Sequence, residues 1–319
     1  MVGMALFSAA PMWAQRETIQ TGVDLVVVPA SVKDSDGRFV YDLEQKDFTI
    51  FEDGKRQEIA EFSIDPAPLS VAVLVDTGVD GAPLRRLSEA IVSLSSAFTP
   101  IDEAEIYRFD KFVTKLSDFT SDYQQLEKSL AIVQTIGERP RQGPTSLAIF
   151  PSRGPRWLRW LLGDAKLDTR LLNDALYTAA LDLEKRAPAN RKMIIIISDG
   201  QAVKNVHSFG DTRDRLVKSQ IQVYGVTVSV LQLPVATSVL QAFTNATGGD
   251  VYSARTRDGM QTAFSRITEQ VRHQYVLSYV SNNEISGLQP VTRNIEVRTS
   301  RPGVTVHHRM EYLQYPPRR

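Results

Sequence analysis

Two apolar segments of the chain each end in an aspartate, and these carboxylates are the side chains best placed to bind a ligand. The segment VAVLVD ends at Asp76, and the segment IIIISD ends at Asp199. Ligands of an open α/β sheet lie beyond the carboxyl ends of its strands, so both side chains are expected at one edge. Paired carboxylates suit a divalent cation such as Mg²⁺ or Ca²⁺. Each aspartate could instead cap the helix that follows it.

Strands and helices alternate around these two aspartates. Continuous apolar runs indicate strands that are buried on both faces. Helical spacing of apolar residues follows at about 83–98, 122–136, 171–186, 211–219 and 258–273. The alternation predicts an α/β fold, with a doubly wound, mostly parallel sheet and helices on both of its faces. Strand-like segments with Asp-Gly turns flank this region, and we expect them to meet as a small β module.

The chain is predicted to have four parts. Residues 1–14 are uncharged and rich in alanine and methionine. This is typical of a secretory signal, although the usual positive start is missing and a frayed apolar terminus is the alternative. Residues 15–66 form an N-terminal β segment, and 67–272 the α/β domain with a loop inserted at about 148–170. Residues 273–319 form the C-terminal β segment, and we expect the protein to be exported.

Composition excludes several classes of function. The formal net charge is zero, so nothing indicates a nucleic-acid partner. The chain has no cysteine, which excludes disulfides and a thiol nucleophile. No apolar run approaches the ~20 residues of a membrane span.

The chain resembles von Willebrand factor type A (VWA) domains. The resemblance lies in the strand that ends at Asp76, the turn SDG at 198–200 and the phrase TGG at 247–249. The flanks DGRFVYDLEQKDFTIFEDGKRQEIAEF and QYVLSYV…RNIEVR…HHRMEYL are similar to those of acidobacterial VWA-related proteins, which are exported. The resemblance covers the chain from about residue 22. It implies a VWA-like fold and a protein-binding role without enzymatic activity.

The resemblance also implies a metal-ion-dependent adhesion site that departs from the family pattern. The first loop reads DTGVD at 76–80, where the family has Asp-x-Ser-x-Ser. Gly78 removes one hydroxyl ligand, and Asp80 exchanges the other for a carboxylate. The threonine of the second loop is ambiguous. Thr145 matches the family phrase, whereas Thr169 directly precedes the next helix. The implied ligands are Asp76, Asp80, Thr145 and Asp199, with Thr169 as the alternative to Thr145.

Two functions follow from this altered site. The protein binds a partner through a Mg²⁺ or Ca²⁺ site of altered composition, or the site is degenerate and the protein is a metal-independent scaffold. A phosphohydrolase with Asp76 as nucleophile is less favoured. Such an enzyme needs a general acid two residues later, and Gly78 occupies that position.

The inserted loop carries a second candidate surface. Trp157 and Trp160 alternate with Arg156 and Arg159. Tryptophan and arginine dominate binding hot spots, so these four residues are candidate partner contacts. The alternative is a short helix that packs both tryptophans onto its own domain, since large exposed apolar patches are uncommon.

Overall fold

A computed structural model describes residues 25–64, 67–78, 98–137, 170–227, 234–254, 256–285 and 287–316. The strands are β1 (Leu25–Asp34), β2 (Phe48–Glu52), β3 (Lys55–Gln57), β4 (Ile59–Ser63), β5 (Leu69–Asp76), β6 (Glu103–Phe109), β7 (Val113–Thr120), β8 (Arg191–Ser198), β9 (Gln222–Thr227), β10 (Val251–Ser253), β11 (Tyr275–Val280), β12 (Val291–Thr299), β13 (Val304–His308) and β14 (Glu311–Gln314). The helices are α1 (Tyr123–Gly137), α2 (Leu172–Glu184), α3 (Phe209–Lys218), α4 (Pro234–Thr247) and α5 (Arg257–Arg272).

The central sheet has the strand order β10-β9-β8-β5-β6-β7. Strands β10, β9, β8, β5 and β6 run parallel, and β7 pairs antiparallel with β6 at the edge. The order reverses between β5 and β8, because the chain builds outward from β5 to β6 and later resumes on the other side with β8. Ligands of doubly wound sheets bind at this kind of reversal.

Helices cover both faces of the central sheet. Helices α1 and α5 pack on one face, and α2, α3 and α4 on the other. Strands β5 and β8 lie between the two layers, which explains their continuous apolar sequences. The predicted doubly wound α/β fold is confirmed, while the helix predicted at 83–98 lies outside the described residues. Among the residues that the structure describes, no helix combines the length and apolar character that crossing a membrane requires.

Strand β7 has no counterpart among the strands expected from the sequence. It forms a hairpin with β6, and only one of its residues, Ser117, is fully buried. An edge strand pairs on one side only, so it carries no continuous apolar run that would reveal it.

The strands that precede and follow the α/β domain pair with each other. Strands β1 and β4 share a sheet with β11 and β13, and β2 and β3 share a second sheet with β12 and β14. The two sheets enclose a common core that includes Ile50 and Leu277. Val217 of α3 and Ala246 of α4 belong to the same core, so these sheets, here called the β module, pack directly against the α/β domain.

Polar contacts also join the β module to the α/β domain. Each pairs a module side chain with one from the domain: Lys33 Nζ with Asp250 Oδ2 (2.6 Å), the Tyr41 hydroxyl with Glu269 Oε1 (2.8 Å), and Glu311 Oε1 with Arg213 Nε (3.2 Å). At Gly248 the two backbones meet closely, because an added Cβ would lie 2.6 Å from the amide nitrogen of Arg309. Gly248 also has a φ of +80°, which favours glycine.

Gly248→Ala should destabilise the protein more than Gly303→Ala does. Both glycines have positive φ, +80° and +72°, so both substitutions carry a backbone cost of about 1 kcal/mol. Only position 248 adds a clash with the module backbone, while no described residue lies within 4 Å of a Cβ at 303. We expect an additional loss of about 2 kcal/mol at 248. Urea unfolding measures both, and equal losses would contradict the close docking.

A partly buried ionic cluster fixes α2 against β6 and β7. Lys115 Nζ lies 3.0 Å from Glu105 Oε2 and 2.5 Å from Asp182 Oδ2, and the Tyr107 hydroxyl donates to Asp182. Burial raises the pKa of Glu105 to about 7, although Lys115 opposes the shift. The cluster joins three elements and thereby holds the helix that begins just after Arg170.

Glu105→Gln should flatten the dependence of stability on pH. The pKa of Glu105 in the folded chain is about 7, above its ordinary value of 4.5. Between pH 4.5 and 7 the folded chain therefore holds a proton on Glu105 that the unfolded chain has released. The free energy of unfolding of the unmodified protein therefore falls as pH rises from about 5 to 7, by on the order of 1 kcal/mol from this group. Urea unfolding at several pH values in that window tests this, and an unchanged slope in the variant would refute it.

Candidate functional site

Asp76 is fully buried where β5 ends, beside the end of β8. Both of its carboxylate oxygens accept hydrogen bonds from neighbouring segments of the same chain. Oδ1 accepts from the amide of Gly78 at 2.9 Å, and Oδ2 accepts from the hydroxyl of Ser198 at 2.7 Å. Burial raises the pKa of Asp76 to about 6, the guanidinium of Arg170 opposes the shift, and the charge of Asp199 adds to it.

Asp199 follows β8 at the same edge of the sheet, as the sequence predicted. Its side chain is half-buried, and its Oδ1 accepts from the amide of Gln201 at 3.0 Å. Gly200 has a φ of +83° and donates its amide to the hydroxyl of Ser198 at 3.0 Å. The turn therefore directs Ser198 onto Asp76 and leaves Asp199 half-buried at the same edge.

Arg170 supplies the positive charge that faces Asp76. Its Nη1 lies 3.2 Å from Asp76 Oδ1, and its side chain is only 7% exposed. The backbone of Arg170 exchanges two hydrogen bonds with Val203, and the next amide donates to the carbonyl of Asp110. These bonds fix the arginine between the β6–β7 hairpin and the loop that follows β8. Nε of Arg170 is buried and has no hydrogen-bond partner among the described residues.

The guanidinium lies in the space that a side chain at position 78 would need. A Cβ added to Gly78 would lie 1.7 Å from Nη1 and 2.6 Å from Cζ of Arg170. No atom pair can approach so closely, so any side chain at 78 would displace the arginine. From the sequence alone Gly78 is a lost ligand, and no local signal places Arg170 against Asp76, because 94 residues separate the two.

The described residues include Asp76 and Asp199 of the predicted metal ligands. Asp80, Thr145 and Thr169 lie outside the described residues, so the full ligand set stays a prediction. Within the described part of the chain, no group of three histidine, cysteine or acidic residues could hold a metal ion. Asp76 already has a cation against one oxygen and a hydroxyl donor on the other. Its surroundings therefore fit a guanidinium better than Mg²⁺ or Ca²⁺.

Two large apolar side chains are exposed beside this site. Phe112 is 71% exposed and Val206 is 87% exposed. Phe112 lies in the β6–β7 hairpin, whose Asp110 amide donates to the Phe112 carbonyl at 3.1 Å. The amide of Val206 donates to Asp174 Oδ2 at 2.9 Å. We call this hairpin (109–113), Arg170 and the loop 199–207 the carboxyl rim.

The loop that carries Val206 is held by the first turn of α2. Asp174 accepts the amides of Val206 and His207, and its Oδ1 lies 2.7 Å from Nδ1 of His207. These bonds lower the pKa of Asp174 although burial raises it. The ring of Tyr177 stacks on His207 at 3.8 Å between centroids. The apolar residue is thus presented by a rigid loop.

Comparisons with known proteins give similarity of structure only. No family model and no curated protein matches the chain. BatB from Bacteroides thetaiotaomicron is 13% identical with a TM-score of 0.45, over 64% of this chain and 98% of that one. Manganese-loaded TRAP protein from Plasmodium vivax is 11% identical with a TM-score of 0.44, over 82% and 97% of the two chains.

A mussel protein also appears among the similar structures. Proximal thread matrix protein 1 from the mussel byssus, with a zinc-occupied MIDAS motif, is 10% identical with a TM-score of 0.44. That match covers 65% of this chain and 48% of the mussel chain. All three TM-scores are below 0.5, so the fold assignment rests on the strand order and helix layers of this chain itself.

Gly78→Ala should be costly in the unmodified protein and nearly neutral when Arg170 is alanine. In the first case the new methyl group forces the guanidinium off Asp76, and breaking a buried ion pair costs about 3–5 kcal/mol. In the second case the closest obstacles, which are atoms of Arg170, are gone. Urea unfolding of the four proteins of this double-mutant cycle measures the coupling. Equal costs in both backgrounds would show that Gly78 makes no room for Arg170.

Proposed function

We propose that this protein is a protein-binding module and that it binds its partner through the carboxyl rim. The observation that carries the proposal is the exposure of Phe112 and Val206 on loops that hydrogen bonds hold in place. Aromatic side chains on a preformed surface bind at low entropic cost, because little is left to order on association. The site lies where the strand order reverses, which is the usual ligand position of such sheets.

The geometry at Asp76 supports binding rather than catalysis. A nucleophilic carboxylate must reach its substrate, but Asp76 is fully buried. Its Oδ2 accepts the Ser198 hydroxyl at 2.7 Å, and its Oδ1 lies between the Gly78 amide and the Arg170 guanidinium. A phosphohydrolase that uses this aspartate is therefore not favoured, and we propose a non-enzymatic role.

The proposal also includes the location of the protein, its further partner contacts and a second candidate function. The flanking sequences suggest an exported protein of the acidobacterial VWA-related family, with adhesion as its role. Trp157, Trp160, Arg156 and Arg159 are proposed as further partner contacts; they lie outside the described residues. A metal-independent scaffold is the second candidate, and the pairing of Arg170 with Asp76 favours it over a cation-dependent adhesin.

Photo-crosslinking from the carboxyl rim tests the proposal. Benzoylphenylalanine replaces Phe112 in one protein and Ile101 in its control. Ile101 is 65% exposed but precedes β6, at the opposite end of the strand that leads to Phe112. Irradiation in extract of cells that naturally make the protein should give a discrete cross-linked protein from position 112 and none from 101.

A double serine variant, here called the serine pair, is compared with the unmodified protein as a competitor for the cross-link. Phe112→Ser with Val206→Ser should leave the melting temperature almost unchanged, since both side chains are exposed and exposed substitutions cost within about 0.5 kcal/mol. Excess unmodified protein should suppress the cross-link, and the serine pair should not. Equal cross-linking from 112 and 101, or equal competition by both proteins, would refute binding through the rim.

A further inference from the structure

The cation that neutralises Asp76 is part of the chain. Nη1 of Arg170 lies 3.2 Å from Asp76 Oδ1, and the guanidinium fills the space above Gly78. The resemblance to VWA domains implies a hydroxyl ligand at position 78 and a divalent ion beside it, and here a side chain stands in that region instead. We propose that Arg170 is a built-in cation that replaces the divalent ion, so that the carboxyl rim binds its partner without metal.

The replacement requires two residue changes that depend on each other. An arginine reaches Asp76 only if position 78 has no side chain, because its Nη1 lies 1.7 Å from where a Cβ would be. A glycine at 78 without the arginine would leave a buried carboxylate with neither cation nor hydroxyl partner on that side. The positive charge is covalently part of the chain, so this pairing does not depend on metal supply.

The exchange changes the charge that the site presents. Asp76, Asp199 and Arg170 together carry one net negative charge, whereas a divalent ion in place of the arginine would make the same group neutral. A metal ion can also accept a carboxylate of the partner as a ligand, whereas the Arg170 side chain is only 7% exposed and is closed to such a contact. The rim is therefore expected to recognise its partner through apolar contact at Phe112 and Val206 rather than through an acidic residue.

This inference rests on the proposed function for its meaning, but its test needs no partner. Thermal unfolding of the full chain, first treated with chelator, is measured with and without Mn²⁺. The unmodified protein should show no shift in melting temperature. Arg170→Ala frees the Asp76 carboxylate and the space beside it, so Mn²⁺ should raise its melting temperature by about 2 °C at roughly ten times the dissociation constant.

Matched variants separate cation binding from general effects. Asp76→Asn with Arg170→Ala keeps the space but removes the carboxylate, and it should not respond to Mn²⁺. Arg170→Gln keeps most of the side-chain volume without the charge and replaces the alanine variant if that one fails to fold. The Mn²⁺ signal in electron paramagnetic resonance gives the bound fraction directly, with at least tenfold tighter binding expected for the Arg170 variant than for the unmodified protein.

Two results would overturn the proposal. One is stabilisation of the unmodified protein by Mn²⁺ that disappears in Asp76→Asn. The other is a folded Arg170 variant that binds Mn²⁺ no better than the unmodified protein. Neither result depends on cross-linking from Phe112. If that cross-linking fails while Mn²⁺ binding behaves as expected, only the proposed function is refuted.

Discussion

The burial of one carboxylate at the reversal of strand order governs the arrangement around it. Asp76 has no contact with solvent, and an unpaired buried charge would cost several kcal/mol. The chain meets this cost with the hydroxyl of Ser198, the amide of Gly78 and the guanidinium of Arg170. Each comes from a different segment, namely the end of β8, the loop after β5 and the residues before α2, so all three must hold fixed positions for one charge to be tolerated.

The same constraint fixes the surface that is open to a partner. Arg170 is anchored through its backbone to Val203 and, through the next residue, to Asp110. The hairpin that presents Phe112 and the loop that presents Val206 are therefore tied to the residue that neutralises Asp76. The buried Nε of Arg170 has no hydrogen-bond partner in the described part of the chain, which offsets part of the stability that its ion pair contributes.

Local sequence patterns predicted the layers and the two strand ends, but not the pairing between distant residues. Asp76 and Asp199 could be placed at one edge because buried parallel strands have a recognisable apolar sequence. Arg170 could not be placed, since it lies 94 residues from Asp76 and its position depends on pairing with Val203. Gly78 was interpreted as a missing ligand because sequence shows the absence of a side chain but not what fills the space. Strand β7 escaped notice because an edge strand needs little apolar sequence.

The interleaving of the β module has a consequence for how the chain reaches its fold. Strands β1 and β2 are made first, yet their sheet partners β11, β13 and β12 are made only after the whole α/β domain. Contacts between residues this far apart in sequence form slowly, because the entropy of closing a long loop is lost before strand pairing stabilises the structure. The α/β domain can assemble from contacts nearer in sequence. Until the later strands form, the edges of β1 and β2 stay unpaired and can pair with strands of other chains. The slow step in folding, and the stage most exposed to aggregation, should therefore be the closure of these sheets by the last strands.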